Sequence, residues 1–435
     1  MTFPLKASAS HFPTPLRQVG HVRIRNARMA AALWIGLTAW DLTASRAFAD
    51  EEQGRAAASW STGHIHPVPA SVARYQDQTL REIVHTSIGG DRFRIRFANT
   101  FGSDTLHIGA AHVAVPNSGS SIVPGTDRAL TFGGNSSVDI PAGAVALSDV
   151  VDARLEKLAD IAISLYLPSL TQGETSTLFQ GAAYLSGSGG DQTATIDLPG
   201  ATPLAEWPFV FGVDATNDGD AATIVAFADS ATIVSQWPRA LAERLVASGM
   251  DNLGVVSEAI AGNRLLHNSA GPGGPDPRWG ESLLTRFDRD VVGQPGLKHV
   301  IVWIGLNDIA GPGTFYPAAE VVSQNDLIAG FRQLIARSHE RGMTIQACTI
   351  SPMGGNTSLP GFDTPAHEAA RVALNQWIRT SGEFDGIVDA DLALRDPAWP
   401  TRLLPIYDSG DHLHPNAAGG RAIAKAVDLT RFEHR

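Results

Sequence analysis

The chain has 435 residues, of which 43% are hydrophobic and 18% charged, and its formal net charge is -11. This length is sufficient for two globular domains, each with its own core. The acidic balance, with no Lys/Arg run beyond the N-terminus, argues against nucleic acid as a partner and weakly against binding to anionic membranes.

The first 49 residues have the pattern of an export signal. Three arginines precede the apolar run Met29–Trp40, and Ala47-Phe48-Ala49 fits a small-x-small cleavage site. The apolar run is too short to span a bilayer, so we expect no stable membrane insertion. We therefore expect cleavage near Ala49 and a periplasmic or extracellular protein. The alternative is a disordered extension.

Residues 55–205 predict an all-β domain. Glu82–Ile88 and Arg92–Phe97 flank a Gly-Gly-Asp turn, which predicts a hairpin. In the second run three arginines alternate with apolar residues, which favours a solvated sheet face. Further short strand candidates are Leu106–Val115, Ala129–Phe132, Ser137–Ile140, Asp160–Leu167, Thr177–Leu185 and Gln192–Leu198. Their spacing predicts a β-sandwich or jelly roll.

From residue 222 onward, apolar strand candidates alternate with helical periods. The strands are Thr223–Phe227, Leu253–Val256, His299–Ile304, Thr344–Ile350 and Gly386–Val388. The helices are Pro238–Ser248, Ser282–Val292, Asn325–Arg341, Thr364–Thr380 and Asn416–Leu429. This alternation predicts an α/β domain at 222–435 with a parallel sheet between two layers of helices. The polar stretch Asp214–Asp220 is the predicted linker between the two domains.

The single cysteine, Cys348, lies in one of these apolar strands. A chain with one thiol forms no internal disulfide, so its stability must come from core burial. We interpret Cys348 as a small buried hydrophobic residue rather than a nucleophile.

Four polar segments follow strands or precede the last helix. They are Ala228-Asp229-Ser230, Ile260-Ala-Gly-Asn263, Gly305-Leu-Asn-Asp308 and Asp411-His-Leu-His414. Because the carboxyl ends of parallel strands share one edge of a sheet, we expect these segments to converge there.

The four segments, in this order, resemble the SGNH (GDSL-type) hydrolase superfamily, which is named for its Ser, Gly, Asn and His. The resemblance covers about 222–430, and the preceding β region is similar to the N-terminal domain of exported bacterial members. It implies a flavodoxin-like three-layer domain and a serine esterase that works through an acyl-enzyme. It also implies that no metal and no organic cofactor is needed.

The chemistry assigns a role to each residue. A serine hydroxyl is a poor nucleophile at neutral pH and needs a base, for which His414 is the candidate beside Ser230. Asp411 would accept the other ring N–H and fix the tautomer. The oxyanion would be held by the backbone N–H groups of Ser230 and Gly262 and by the side-chain amide of Asn307.

Each segment also has a plainer interpretation. Asp229 and Ser230 alone would be explained as a helix cap, and Asn307 as a turn residue. Asp411, His412 and His414 could together hold a metal ion, but no fourth ligand stands out.

His412 and Trp303 are further candidates, as residues that line the substrate pocket.

The chain departs from the family pattern in three places. Ala228 stands where glycine is usual, only Ala231–Gln236 separates the serine from the next helix, and Glu258 occupies a position where a small residue is expected. These departures support an alternative, a catalytically degenerate carbohydrate-binding protein. The leading hypothesis is an exported esterase that acts on short acyl esters of small molecules or polysaccharides, including O-acetyl groups.

Overall fold

The computed structural model describes residues 55–217, 219–269, 276–356 and 359–433. The predicted export segment at 1–49 lies outside the described residues. In the described part of the chain, no helix combines the length and apolar character that a bilayer crossing requires.

The first part of the chain, residues 55–217, consists of antiparallel sheets. Its strands are β1 (Arg55–Ser61), β2 (Arg74–Tyr75), β3 (Gln78–His85), β4 (Arg92–Ala98), β5 (Leu106–Ile108), β6 (Ala110–Ala114), β7 (Arg128–Ala129), β8 (Val138–Ile140), β9 (Val145–Leu147), β10 (Asp160–Leu167), β11 (Thr171–Gln172), β12 (Ser176–Leu185), β13 (Thr202–Pro208) and β14 (Val210–Asn217). A four-stranded sheet has the order β1-β14-β4-β9, and a six-stranded sheet the order β13-β12-β3-β10-β6-β7. Alternate residues of both sheets share one apolar core, which includes Leu80, Ile95, Leu165 and Val213.

The predicted hairpin is wrong. Strand β3 pairs with β10 and β12, whereas β4 pairs with β14 and β9, so the two strands belong to different sheets. The reason lies in the turn between them. Gly90 exchanges two backbone hydrogen bonds with Leu155, of 3.0 and 2.8 Å, which direct the chain from one sheet to the other.

Two strands continue the antiparallel part beyond residue 205. Strand β14 includes the first residues of the predicted linker, and Asp214 is buried within it. The connection to the α/β part is therefore shorter than the predicted Asp214–Asp220 linker, because an acidic residue pairs with arginines in the sheet rather than with solvent.

The α/β part contains a parallel sheet of β15 (Ala222–Ala228), β16 (Leu253–Ala259), β17 (Leu297–Trp303), β18 (Thr344–Cys348) and β19 (Gly386–Val388). Its strand order is β16-β15-β17-β18-β19. Its helices are α1 (Ser230–Ser235), α2 (Trp237–Ala247), α3 (Leu283–Phe287), α4 (Leu306–Ala310), α5 (Gln324–Glu340), α6 (Pro365–Thr380), α7 (Ala390–Leu394) and α8 (Ala417–Ala426). Separate apolar cores cover the two faces of the sheet, which confirms the predicted three-layer fold.

The strand order of the sheet reverses between β15 and β17, because β16, which follows β15 along the chain, lies on the other side of β15. In open α/β sheets, ligands bind at the carboxyl ends of the strands at such a switch point. Cys348, at the end of β18, is buried as predicted.

The two parts of the molecule meet along a buried polar seam formed by Ser61, Arg96, Asp214, Glu258 and Gln294. The hydroxyl of Ser61 and the amide of Gln294 both donate to Glu258 Oε1, the latter over 2.8 Å. Arg96 donates to Gln294 Oε1 over 2.6 Å and pairs with Asp214 over 2.9 Å. Arg96 is only 4% exposed, so the prediction of a solvated arginine face is wrong for this residue.

Candidate active site

Strand β15 ends at Ala228, and the chain turns at once into helix α1. The Asp229 carboxylate caps this helix by accepting the N–H of Ala231 over 3.0 Å. Ser230 is the first residue of the helix and is half-buried. Its hydroxyl therefore stands at the carboxyl end of the sheet, beside the switch point.

The structure brings Ser230, His414 and Asp411 together. Ser230 Oγ lies 2.9 Å from His414 Nε2, and His414 Nδ1 lies 2.5 Å from Asp411 Oδ2. Because an ionised carboxylate can only accept, the ring proton belongs on Nδ1. Nε2 is then left as the acceptor for the serine hydroxyl, which is the arrangement that a general base requires.

The Asp411 carboxylate is held in place by its own loop. Its Oδ1 accepts the backbone N–H groups of Leu413 and His414, over 2.9 and 2.8 Å, and the hydroxyl of Ser409 over 2.9 Å. Partial burial raises the pKa of Asp411, but the hydrogen bonds from the ring and N–H of His414 and from Leu413 outweigh it and hold the pKa well below its usual range. Asp411 is therefore ionised at neutral pH.

Helix α8, which follows His414, packs closely on α1, which begins with Ser230. A Cβ atom on Gly420 would lie 2.0 Å from the carbonyl oxygen of Ser235, so only glycine permits this approach. The Ser235 hydroxyl donates back to Ala231 O over 2.6 Å, which secures the end of α1. This contact fixes the distance between the two segments that carry the hydroxyl and the ring.

Gly262 and Asn307 lie beside the serine on the loops that follow β16 and β17. Gly262 has φ +70°, a conformation that favours glycine. In the described part of the chain, neither the N–H of Gly262 nor that of Ser230 donates a hydrogen bond to another residue. Both are thus available to a substrate oxygen.

The Asn307 side chain is oriented by two neighbours. Its Nδ2 donates to the carbonyl of Asn263 over 3.0 Å and lies 3.3 Å from Asp229 Oδ2. The contact with Asp229 is long, so it is the one that Asn307 would exchange for a substrate oxygen. Burial raises the pKa of Asp229 to about 7, although the N–H of Ala231 and the nearby His414 oppose this shift.

A buried arginine, Arg286, binds the carboxyl ends of β15 and β16. The sequence pattern did not identify this residue as part of the site. It is fully buried and donates to the carbonyls of Glu258 and Ala228, over 2.8 and 3.2 Å, and to Asn263 Oδ1 over 3.2 Å. Asp290 balances its charge over 2.9 Å. One guanidinium thus connects the ends of β15 and β16 with the loop that contains Gly262.

The two predicted substrate-binding residues, His412 and Trp303, differ in their exposure to solvent. His412 is exposed, with φ +61°, and its Nδ1 lies 2.5 Å from Asp408 Oδ2. Trp303 is only 3% exposed and packs in the core against α2 and α8. Trp303 also lines a small cavity with Asp229 and Ala231, next to Ser230, so its role in substrate binding stays a prediction.

The structure accommodates the three departures from the family pattern. Ala228 is absent from the described non-glycine residues with positive φ, so its methyl group causes no backbone strain there. Glu258 belongs to the seam, away from the serine. The short segment Ala231–Gln236 forms α1 and its left-handed C-cap, and this compact turn keeps Ser230 within hydrogen-bond distance of His414.

The metal alternative conflicts with the hydrogen bonds of the candidate ligands. His412 is paired with Asp408, and His414 bridges Asp411 and Ser230 through its two ring nitrogens. Across the described residues, no group of three or more His, Cys, Asp or Glu side chains has a metal-binding arrangement.

Comparison with known proteins places this site in context. Residues 209–422 match the model of the GDSL-like lipase/acylhydrolase family. Among solved structures, an acetylxylan esterase from Geobacillus stearothermophilus is 18% identical, with 50% of this chain and 96% of that chain covered and a TM-score of 0.37. A GDSL-like lipase from Bacteroides thetaiotaomicron is 13% identical, with 48% and 88% covered and a TM-score of 0.36. No match is found among curated proteins.

Proposed function

Residues 209–422 belong to the GDSL-like lipase/acylhydrolase family, and on that premise we propose that this carboxylic ester hydrolase works through an acyl-enzyme on Ser230. The observation that supports the proposal most directly is the relay Ser230–His414–Asp411, with contacts of 2.9 and 2.5 Å. It stands beside the two backbone N–H groups and the amide that an oxyanion requires.

In the acylation step, Ser230 Oγ attacks the ester carbonyl carbon and its proton passes to His414 Nε2. Asp411 stabilises the imidazolium that forms. The oxyanion accepts hydrogen bonds from Ser230 N–H, Gly262 N–H and Asn307. His414 then gives the proton to the alcohol oxygen, and the C–O bond breaks to leave an acyl-serine.

Deacylation repeats these steps with water. His414 takes a proton from the water as its oxygen attacks the acyl carbon, and it returns that proton to Ser230 Oγ as the acid leaves. Each step uses side chains already in contact, so the proposed cycle needs no metal or organic cofactor.

The proposal can be tested by replacing the serine. We expect Ser230→Ala to lower kcat for p-nitrophenyl acetate by about 10³-fold or more, because the nucleophile is lost. Ser248→Ala, an exposed serine after α2, is the matched control and should keep wild-type turnover.

A fluorophosphonate probe should label the wild type and the Ser248→Ala control at Ser230, as located by mass spectrometry, and should not label Ser230→Ala. Unchanged turnover in Ser230→Ala, or labelling at a different residue, would contradict the proposal. A wild type that neither hydrolyses esters nor reacts with the probe would favour the degenerate binding protein instead.

The natural substrate and location are finer parts of the same proposal. We propose export, followed by hydrolysis of short acyl esters such as O-acetyl groups on polysaccharide. The support is the signal-like pattern before Asp50 and the antiparallel part that precedes the catalytic domain. A mature N-terminus at Asp50 in secreted material, and acetate release from an acetylated polysaccharide, are the expected results.

A further inference from the structure

An aromatic cluster lies against the glycine of the proposed oxyanion site. It consists of Trp279, Phe315, Tyr316 and Phe362. The Trp279 ring is 5.1 Å from that of Phe315 and 4.9 Å from that of Tyr316, both edge to face, and Phe315 stacks on Phe362 over 5.9 Å. These residues come from three separate segments, so only the fold brings them together.

Contact between this cluster and Gly262 is direct. A Cβ atom on Gly262 would lie 2.7 Å from Cδ1 of Trp279, so the indole covers the space next to the glycine backbone. The Tyr316 hydroxyl donates to the carbonyl oxygen of Gly262. On the following residue, Asn263 Nδ2 donates to the carbonyl of Trp279 over 2.7 Å.

A buried arginine packs against the Tyr316 ring of the cluster. The Arg264 guanidinium lies 3.7 Å from the centre of the Tyr316 ring and pairs with Glu320 over 2.6 Å. Asn263 also donates to Glu281 O over 2.8 Å, so the segment that carries Trp279 is fixed on both sides. The indole itself packs against Phe315, Tyr316 and Gly262, and because the segments around it are held in this way, the wall is poorly able to adapt to a longer chain.

The two arms of a bound ester must take different directions from the carbonyl carbon. His414 has to protonate the alcohol oxygen, so the alcohol lies on the His414 side. The carbonyl oxygen points to the N–H groups of Ser230 and Gly262. The acyl arm takes the remaining direction, and a chain that extends past the Gly262 backbone meets Trp279, which lies against that backbone.

We propose that Trp279 is the specificity-determining residue of this site and that it restricts the substrate to esters of very short acids, above all acetyl esters. The inference rests on the proposed function and deepens it. Trp279 is only half-buried, so part of this residue is accessible from solvent while its indole packs against the glycine.

The test compares kcat/KM for p-nitrophenyl acetate, butyrate and octanoate in the wild type, Trp279→Ala and Trp279→Leu. A site built around a hydrophobic wall discriminates by about 10- to 200-fold for one methylene. We expect the ratio of kcat/KM for octanoate to that for acetate to rise at least about tenfold in Trp279→Ala. In Trp279→Leu, the butyrate-to-acetate ratio should rise more than the octanoate-to-acetate ratio. The ratio is independent of the fraction of folded enzyme.

Trp399→Ala is the matched control, because this tryptophan is 65% exposed and touches none of the cluster. Its ratios should equal those of the wild type. If the wild type hydrolyses the octanoate ester with the same kcat/KM as the acetate ester, or if neither Trp279 variant changes the ratios, the inference is overturned while the esterase assignment stands. Loss of all hydrolysis and of fluorophosphonate labelling in the wild type would instead overturn the proposed function.

Discussion

The active site and the buried seam use opposite kinds of polar contact, although the end of β16 contributes to both. Glu258, in the seam, takes both of its hydrogen bonds from buried protein side chains. Gly262, a few residues later, is half-buried and keeps an N–H that donates to no described residue. Buried groups that satisfy one another stabilise the fold, whereas groups left open at the surface are available for chemistry.

The largest effect should come from the active site. We expect Asp411→Asn to lower kcat about 10⁴-fold, because an amide that donates to His414 Nδ1 would leave the ring in the wrong tautomer. The melting temperature should fall as well, because the ionised carboxylate accepts hydrogen bonds from Leu413, His414 and Ser409 that stabilise the folded state, so kcat is compared per folded enzyme. Steady-state kinetics and thermal unfolding check both statements. Asp408→Asn, which alters the partner of His412 instead, should lose far less, and equal losses would contradict the assignment.

The next largest effect concerns stability and comes from Arg286, whose buried network connects the end of β16 with the loop of the active site. Arg286→Met should lower the free energy of unfolding by about 2–5 kcal/mol, because the buried carbonyls of Ala228 and Glu258 lose this donor. Asp290 also loses one of its two cationic partners and retains Arg289. Urea unfolding measures this change. Arg332→Met removes an exposed ion pair with Glu383 and should cost no more than about 1 kcal/mol. A loss for Arg286→Met as small as that of the control would show that the buried network is not needed.

A substitution at Asn307 distinguishes binding of the ester from stabilisation of the transition state. Asn307→Ala should lower kcat about 10²- to 10³-fold, because one donor to the oxyanion is lost. KM should change little, since the charge on the oxygen develops only in the transition state. A rise in KM at constant kcat would assign Asn307 to ground-state binding instead.

The smallest effect on activity concerns the seam, where stability depends on pH. Burial, with the charge of Asp290 as the second cause, raises the pKa of Glu258 from 4.5 to about 8. Between these values the folded state keeps a proton that the unfolded state has released, so stability falls as pH rises. Glu258→Gln keeps the acceptor oxygen without the charge. We expect it to match the wild type near pH 4.5 and to be more stable at pH 8.5, by no more than about 5 kcal/mol, which is the limit that this pKa shift sets.

Urea unfolding at these two pH values checks the prediction for Glu258. A difference that is the same at both values would mean that the carboxyl group does not titrate in the seam. Turnover of p-nitrophenyl acetate by Glu258→Gln at pH 7 should stay close to that of the wild type, because the side chain bonds to Ser61 and Gln294 and not to a residue of the proposed site.

Sequence patterns were sufficient for the α/β layer and for the order of the site segments. Apolar runs bounded by polar residues located the strands of the parallel sheet to within a few residues. The parallel topology then requires their carboxyl ends to meet at one edge, so Ser230, Gly262 and Asn307 could be placed together without coordinates. The hydrogen bonds of Asn307 to Asp229 and to Asn263, the residues next to Ser230 and Gly262 in the chain, confirm that these segments meet.

Other features could not be predicted because they depend on packing between distant segments. Arg286 lies on a short helix, where a charged residue usually faces solvent, and only the fold shows that it reaches two strand ends. Trp279 ends a single 3₁₀ turn, Pro277–Trp279, and Tyr316 lies in a loop, so neither belongs to a periodic apolar pattern. The turn after β3 misled the hairpin prediction, because its hydrogen-bond partner, Leu155, is far along the chain.

The position of the antiparallel part has a consequence for association between molecules. An open sheet edge can recruit a strand from another copy of the protein. Here β16 is an edge strand, but the N–H of Val255 donates to Ser87 Oγ over 3.1 Å and Ser257 forms a bridge with Thr62. The opposite edge, β19, spans only Gly386–Val388. Both edges of the parallel sheet therefore present few free backbone groups to a strand of another molecule. Aggregation by strand pairing at the end of β16, next to the loop that contains Gly262, is disfavoured.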